Sequence, residues 1–369
     1  VNILVNLDWE GKSDVSKQQT YNREKYENYF QKVKDFNSYM LPRSKIEGKI
    51  WHNKLFWADN LPVLYFLLKQ YEGKIDLIYI DPPFFSGSNY RFNIIEKDGK
   101  VQEQIAYFDH WDNNLDSYLQ MLYERLFLFR PLLSEKGLLF IHLDWHSSHH
   151  VRVILDEIFG AGNFVNAVVW HYYNKYSAGK KSLPRAHDDI LIYSKTNQYQ
   201  LNQIRIPRDQ PRKQLRREMV NGTLKNAKDE YGHVIYRIVK DKKIDDVWKI
   251  PCLQPASKEW TGFPTQKHHE LIKRIILLGS NHGDLVADFF CGSGTTLLMA
   301  EKLNRKWIGC DISKYAIYLT SQRLSKYLTH LKEEDPKHYN FQMYAHLDDE
   351  KKTLLSSDFF EKEIIIKKR

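Results

Sequence analysis

Asp81-Pro82-Pro83-Phe84 sets a carboxylate, two rigid imino acids and an aromatic ring directly after the apolar run Ile75-Asp76-Leu77-Ile78-Tyr79-Ile80. A chain leaving a buried strand needs turn residues such as Pro or Gly, and an acid held stiffly beside a ring is not among them. The group suits an exocyclic amine. The Asp81 carboxylate and the Pro82 carbonyl can accept its two hydrogens, with the prolines fixing both directions. An amine conjugated with a ring is a poor nucleophile, and two acceptors bias its nitrogen toward the tetrahedral geometry that attack requires. Phe84 offers a stacking face for a base taken out of a duplex. No strong general base is needed beforehand, because the proton turns acidic only as the nitrogen gains its new bond. Alone, the tetrapeptide reads equally well as a turn.

A second group lies some two hundred residues on, in "DFFCGSGTT" from Asp288 to Thr296. Gly292 and Gly294 permit a tight turn and close backbone approach to a ligand, at the start of a helix whose N–H groups point the same way. A P-loop requires Lys after the second glycine, where Thr295 stands. A dinucleotide fingerprint requires Gly or Ala where Leu297 stands. S-adenosylmethionine is the remaining reading, since it wants close backbone approach and brings no phosphate. Asp311, 17 residues after Gly294 at the end of "WIGCDIS", is placed to accept ribose hydroxyls. The bland alternative is an ordinary strand–turn–helix with an incidental acid.

The elements that must hold these groups follow from periodicity. "KIWHNKLFW" reads as a strand and "LPVLYFLLKQY" as a helix. Residues 115–133 form a helix stopping near Pro131, 137–144 a second buried strand, "HHVRVILDEIFG" a helix closed by Gly160, and "NFVNAVVWHYY" a third strand. Strand, glycine turn, helix and strand recur from Gly283. Strands alternating with helices predict an α/β domain. Residues 195–245 are basic, rich in Gln and Asn, and read as a partly irregular module. The last forty residues read as a helical or mobile tail, and Phe85 with "SGSNY" as a mobile loop.

Charge marks one region out. The chain has 55 Lys/Arg against 46 Asp/Glu, a net +9. Residues 171–250 hold 18 of the basic and 9 of the acidic residues, so the remaining 289 residues balance at 37 each. One basic segment on a neutral body predicts a local polyanion site. No run of about 18 apolar residues predicts a membrane span. The first residues lack signal-peptide features, and Cys252, Cys291 and Cys310 have neither disulfide-framework nor zinc spacing. The expectation is a cytoplasmic protein without a metal. His142, His146, His149 and His150 crowd a strand–helix junction and are assigned ordinary polar or packing roles. Cys252 follows Pro251, as in thiol-dependent carbon methylation, but precedes the donor motif and is assigned to packing.

The sequence resembles the β-class DNA amino-methyltransferases over about residues 49–324, the basic insert excepted. "ADNLPVLYFL" is similar to the family's Gly-Asp-Asn/Ser-Leu segment, "IDPPF" to its D/S-P-P-Y/F motif, and "TGFPTQK", "ADFFCGSGTT" and "IGCDIS" to its cofactor half. The order, with the catalytic motif before the donor motif, is the family's. "YLQMLYERL", "FIHLDWHSSH", "HDDILIYSK" and "DDVWKIP" resemble type III modification subunits and stand-alone site-specific enzymes. Ala58 replaces the usual Gly, His268 the usual Pro after the lysine, and Phe84 the commoner Tyr.

The resemblance implies a circularly permuted Rossmann-like sheet that binds S-adenosylmethionine and methylates adenine N6 in duplex DNA, within or derived from a restriction–modification system. Asp in the first motif position favours adenine; cytosine N4 is the alternative, and a silent DNA-binding subunit the alternative of another class. By resemblance Asp81, Pro82, Pro83 and Phe84 are catalytic. Asp59 and Asn60 sit by the donor's adenine, and Thr265, Gln266 and Lys267 by its carboxylate. Asp288, Phe289, Phe290, Cys291, Gly292, Ser293, Gly294 and Thr295 line its methionine portion, and Asp311 its ribose. The implied domains are an N-terminal helical extension (1–48), the catalytic half (49–170), the target-recognition insert (171–250), the cofactor half (251–330) and a C-terminal tail (331–369). Lys180, Lys181, Arg185, Arg205, Arg208, Arg212, Lys213, Arg216 and Arg217 are the expected DNA contacts. A homodimer and a companion restriction endonuclease are the further expected partners.

Overall fold

The structure, a computed structural model, describes residues 5–13, 15–36, 51–95, 101–111, 114–175, 181–334, 341–356, 360 and 365–366. From the N-terminus run α1 (Val15–Tyr26), β1 (Gln31–Phe36), β2 (Asn53–Trp57), α2 (Asn60–Tyr71) and β3 (Ile75–Ile80). A hairpin, β4 (Ser88–Ile95) and β5 (Val101–Asp109), precedes α3 (Leu115–Leu132), β6 (Leu133–Leu143), α4 (Ser148–Phe159), β7 (Phe164–His171) and β8 (His187–Ser194). Four strands follow: β9 (Arg205–Leu215), β10 (Arg217–Val220), β11 (Thr223–Asn226) and β12 (Tyr236–Lys243). The chain continues through β13 (Val247–Lys249), α5 (His269–Gly279), β14 (Leu285–Asp288), α6 (Thr295–Lys302), β15 (Lys306–Asp311) and α7 (Lys314–Glu334). The last elements are β16 (Phe341–Ala345), α8 (Asp349–Ser356) and β17 (Ile365–Ile366).

Apolar runs without alternation become strands covered on both faces. All four residues of β14, and all but one of β3, are buried. Among the described residues they join a ten-stranded sheet in the order β1-β16-β2-β15-β14-β3-β6-β8-β7-β13. From β16 to β6 neighbouring strands are parallel, and β8 runs against both β6 and β7. Helices α2, α3 and α4 pack beside one another, and so do α5, α6 and α7. On α3 the buried Tyr118, Leu122, Leu126 and Phe129 recur every three or four residues; shortening one such side chain costs about 2–5 kcal/mol. Asn114 caps this helix, accepting from the Ser117 amide at 3.1 Å.

This is an α/β, Rossmann-like sheet in permuted order. Strand β3, which ends just before Asp81, lies directly beside β14, which leads into the glycine turn, with Val286 opposite Leu77 and Ala287 opposite Ile78. The carboxyl ends of β3, β14 and β15 therefore meet at one edge, where open α/β sheets bind ligands.

Several segments differ from the sequence reading. The 31–36 stretch of the expected helical extension is a strand paired with β16. Part of the expected tail, Phe341–Ala345, is a sheet strand beside β2; its buried alternation in FQMYA is short and lies among charged residues. His187–Ser194, assigned to the insert, forms β8 inside the main sheet. The "SNY" of the expected mobile loop opens β4, which pairs with β5.

Residues Asn202–Asp246 form a second compact unit. It consists of two ribbons, β9 with β12 and β10 with β11, where an irregular module was expected. Pro207 and Pro211 obscure the strand β9, yet a two-stranded ribbon is all edge and tolerates proline.

Candidate active site

A cavity of about 820 Å³ opens at the carboxyl ends of β3, β14 and β15. Its wall includes Asp81, Pro82, Pro83 and Phe84 together with Asp288, Phe290, Gly292, Ser293, Thr295 and Asp311. The two motifs separated by some two hundred residues thus face one space.

Asp81 lies between a lysine and a histidine. One carboxylate oxygen, Oδ2, accepts from Lys267 Nζ. The other, Oδ1, stands 3.2 Å from Nδ1 of the fully buried His142, whose Nε2 lies 3.1 Å from Asp188 Oδ2. Lys267 Nζ also sits 5.6 Å from the Phe84 ring centroid. Lys267 was expected at the donor carboxylate; it holds the motif's acid here. Burial raises the Asp188 carboxyl, but the His142 hydrogen bond and charge, Lys267 and Tyr172 together bring it below the ordinary range. His142 was assigned a polar or packing role in the sequence and Asp188 none; "FIHLD" read as a strand, and "HDDIL" entered only as a family resemblance within the insert.

Asp109, at the end of β5, fixes the loop after the motif. Its buried carboxylate accepts from the Phe85 amide at 2.9 Å, the Ser86 amide at 3.0 Å and the Ser86 hydroxyl at 2.5 Å. Phe85 has φ +65°, a conformation an L residue adopts only when its surroundings hold it. Tyr118 donates to the Pro83 carbonyl at 2.9 Å. Nothing in the sequence around Asp109 signalled this anchoring.

The glycine turn is built by two different needs. At Gly292, φ is +48° and an added Cβ would lie 3.2 Å from Phe263 on the cavity wall. Gly294 has φ +74° and precedes α6, and a Cβ there would lie 2.5 Å from Thr320 Oγ1. Its requirement is close packing against α7 rather than ligand approach. Asp311 accepts from the Gly292 and Ser313 amides, both at 2.8 Å, and burial pushes its carboxyl up to about 6. Burial also pushes Asp288 up to about 7, against hydrogen bonds from Thr296 and the Phe290 amide and aided by the charges of Asp81 and Asp311. Half-buried Arg323 donates to the Ser293 carbonyl and, at 3.1 Å, to His269 Nε2. Burial lowers His269 to about 4, leaving that nitrogen free to accept.

Asp59, Asn60, Thr265, Gln266, Phe289 and Cys291 also line this cavity, and each is held by contacts within the fold. Phe289 is buried and stacks on Phe129 with centroids 5.3 Å apart. Cys291 is buried and donates its amide to the Cys310 carbonyl at 3.0 Å. Asn60 donates to the Phe289 carbonyl at 2.7 Å and accepts from Arg125. Asp59 caps α2 through the Leu61 amide at 2.7 Å and pairs with Arg125 at 3.0 Å, its side chain still half exposed. Gln266 spans its own loop, accepting from the Thr261 amide at 2.9 Å and donating to the Glu259 carbonyl at 2.7 Å. Thr265 has φ +57° and takes the Tyr107 hydroxyl at 3.2 Å. His268, where the family has Pro, caps α5 by accepting from the Glu270 amide at 3.1 Å. Cys252 is held on both backbone sides by Asn174 at 2.8 Å, and burial pushes its thiol up to about 11.

The expected DNA contacts divide. Lys180 lies outside the described residues. Lys181 is exposed, and Arg185 stacks over the Trp145 ring at 3.8 Å. In the second unit Arg205 pairs with Asp241 at 2.8 Å and Arg208 donates to the Asp241 carbonyl at 2.8 Å. Arg212, Lys213, Arg216 and Arg217 are exposed along β9 and β10 and their junction.

Comparison with known proteins agrees with this geometry. The chain is 26% identical over 338 residues to the type II methyltransferase M.EcaI of Enterobacter cloacae, covering 76% of this chain and 71% of that one. It is 27% identical to the StyLTI Mod subunit, a type III restriction–modification enzyme of Salmonella typhimurium, over 73% of this chain but only 53% of the relative. The DNA adenine methyltransferase YhdJ of Escherichia coli is 28% identical, with 68% and 76% covered. The family model described as DNA methylase, N6/N4 type, matches residues 75–322, which spans both motifs and the insert between them. The chain belongs to the N6/N4 DNA methylase family.

Proposed function

We propose that the chain methylates adenine N6 in duplex DNA at a specific sequence, using S-adenosylmethionine. The observation that carries this is the shared cavity: the Asp81 carboxylate of the D-P-P-F motif, Gly292 of the glycine turn and Asp311 at the end of β15 line one space of about 820 Å³. The residues fit the donor. Asp311 presents a carboxylate, the turn brings backbone to the surface at Gly292, and the buried Tyr79 hydroxyl on the same wall has no hydrogen-bond partner among the described residues. Bound there, S-adenosylmethionine supplies an electrophilic methyl group on a sulfonium. The chain's own residues orient the acceptor. Asp81 and the Pro82 carbonyl hold the amine hydrogens, Phe84 supports the ring, and Asp109 keeps the loop in register. Lys267 must leave Asp81 Oδ2 for the amine to take that place.

Adenine is favoured over cytosine by Asp in the first motif position and by the adenine methyltransferase among the relatives. The exposed cations of the second unit support DNA backbone binding. The relatives' restriction–modification names support a companion endonuclease, and a homodimer follows from family resemblance alone. No described helix is long and apolar enough to cross a membrane. A cytoplasmic location follows from DNA as the substrate. Asp81→Ala should abolish methyl incorporation into site-bearing duplex DNA while donor binding persists; normal incorporation by the variant would end this reading.

A further inference from the structure

His142 has a carboxylate at each end of its ring. Asp188 Oδ2 lies 3.1 Å from Nε2 in hydrogen-bond geometry, and Asp188 Oδ1 accepts from the Tyr172 hydroxyl at 3.2 Å. Asp81 Oδ1 lies 3.2 Å from Nδ1 without hydrogen-bond alignment, and both of these buried atoms remain unsatisfied among the described residues. Such a pair is costly to leave unmade, at about 1–3 kcal/mol for each buried group. The rings of Phe84, at 5.4 Å, and Trp170, at 5.2 Å, confine the imidazole between them. Lys267 stands behind Asp81, and Tyr172 behind Asp188. An imidazole can donate to both carboxylates only with a proton on each nitrogen. The arrangement crosses three strand positions, from the end of β3 through β6 to the start of β8.

We propose that His142 is a positioning residue for methyl transfer: anchored through Nε2 by Asp188, it donates from Nδ1 to Asp81 Oδ1 and so turns Oδ2 toward the substrate amine. This rests on the reading of Asp81 as the amine acceptor. Lys267 takes the amine's place on Oδ2 until substrate enters, and the Asp81–His142 bond closes as that carboxylate rotates. Asp188 then serves the site without touching substrate.

Two isosteric variants separate positioning from packing. In His142→Asn the amide nitrogen falls near the Nδ1 position and keeps a donor for Asp81. In His142→Gln it reaches toward the Nε2 position, keeping the Asp188 partner but losing the donor for Asp81. In single-turnover methylation of duplex DNA, His142→Gln should slow transfer roughly 100-fold, as expected for a misplaced reacting group. His142→Asn should stay within about tenfold of wild type, and donor affinity and KM for DNA should be unchanged in both. Equal rates for Asn and Gln, or a Gln variant as fast as wild type, would overturn the proposal. A readout independent of activity uses ring-¹⁵N-labelled histidine. Asp81→Asn should move the His142 Nδ1 resonance and Asp188→Asn the Nε2 resonance, and an Nδ1 signal indifferent to Asp81→Asn would likewise overturn it. A wild-type protein that methylates no DNA would instead remove the underlying functional reading, with the nitrogen shifts still deciding whether His142 and Asp81 are partners.

Discussion

Asp81 draws its chemical character from neighbours that a linear reading does not bring together. Its position after an apolar strand and before two prolines and a ring was legible. The partners were not, because Lys267, His142 and Asp188 arrive from three other segments. At this scale Phe84→Ala should weaken engagement of the flipped base by about 1–3 kcal/mol, whereas Phe84→Tyr keeps the stacking face and should leave transfer near wild type. DNA carrying 2-aminopurine at the target position, whose fluorescence rises on unstacking, reads this directly. Asp288 makes a pH prediction. Its buried carboxyl, raised to about 7, holds a proton that the unfolded chain has already released near its ordinary value of 3.8. Its contribution to stability is therefore lost as pH rises through that window and stays lost above it. Asp288→Asn should leave stability nearly unchanged near pH 3.5, where the carboxyl is protonated in both states, and raise it progressively to pH 8, by on the order of 2–4 kcal/mol at most. Melting curves across that range check it; a pH-independent difference would contradict it.

At the scale of elements, the strand–turn–helix around 285–302 was readable because each local signal agreed: an apolar run, two glycines, then helical spacing. The reasons for the two glycines were not readable. Gly292 faces the cavity, while Gly294 is required by Thr320 on α7, 26 residues further along the sequence. Gly294→Ala should therefore destabilise the fold, losing both the left-handed backbone and the space beside Thr320, at a cost of about 1–3 kcal/mol. Asp109 is the corresponding case on the catalytic side. Asp109→Ala strands the Phe85 and Ser86 amides and should cost about 2–4 kcal/mol, with transfer falling more than donor binding. Chemical denaturation alongside a donor titration separates the two effects. Two of the segments misread in sequence share a cause: 31–36 and 341–345 are short strands whose pairing partners lie far away in the chain, whereas 187–194 pairs with the preceding β7 as well as with β6.

For the whole molecule, charge was the informative sequence quantity. The net +9 of the chain equals that of residues 171–250, and within them the unit Asn202–Asp246 holds 12 Lys/Arg against 7 Asp/Glu. Its ribbon architecture was hidden by prolines and by a pattern without a buried face. If Arg212, Lys213, Arg216 and Arg217 neutralise phosphates, replacing all four with Gln should weaken DNA binding across sequences. It should also flatten the logarithmic salt dependence by about 0.9 for each phosphate no longer neutralised. Donor affinity should not change. Titrations of duplex DNA between low and moderate salt test this, and an unaltered slope would place the phosphate-binding cations elsewhere.

The central claim joins donor, acceptor and the Asp81 carboxylate in one cavity, and a single measurement addresses all three. Duplex DNA is incubated with the protein and S-adenosylmethionine carrying an isotopically labelled methyl group, then digested to nucleosides and weighed. The account predicts labelled N6-methyl-2′-deoxyadenosine from the wild-type protein and none from Asp81→Ala. Labelled N4-methyl-2′-deoxycytidine, or equal labelling by the variant, would contradict it.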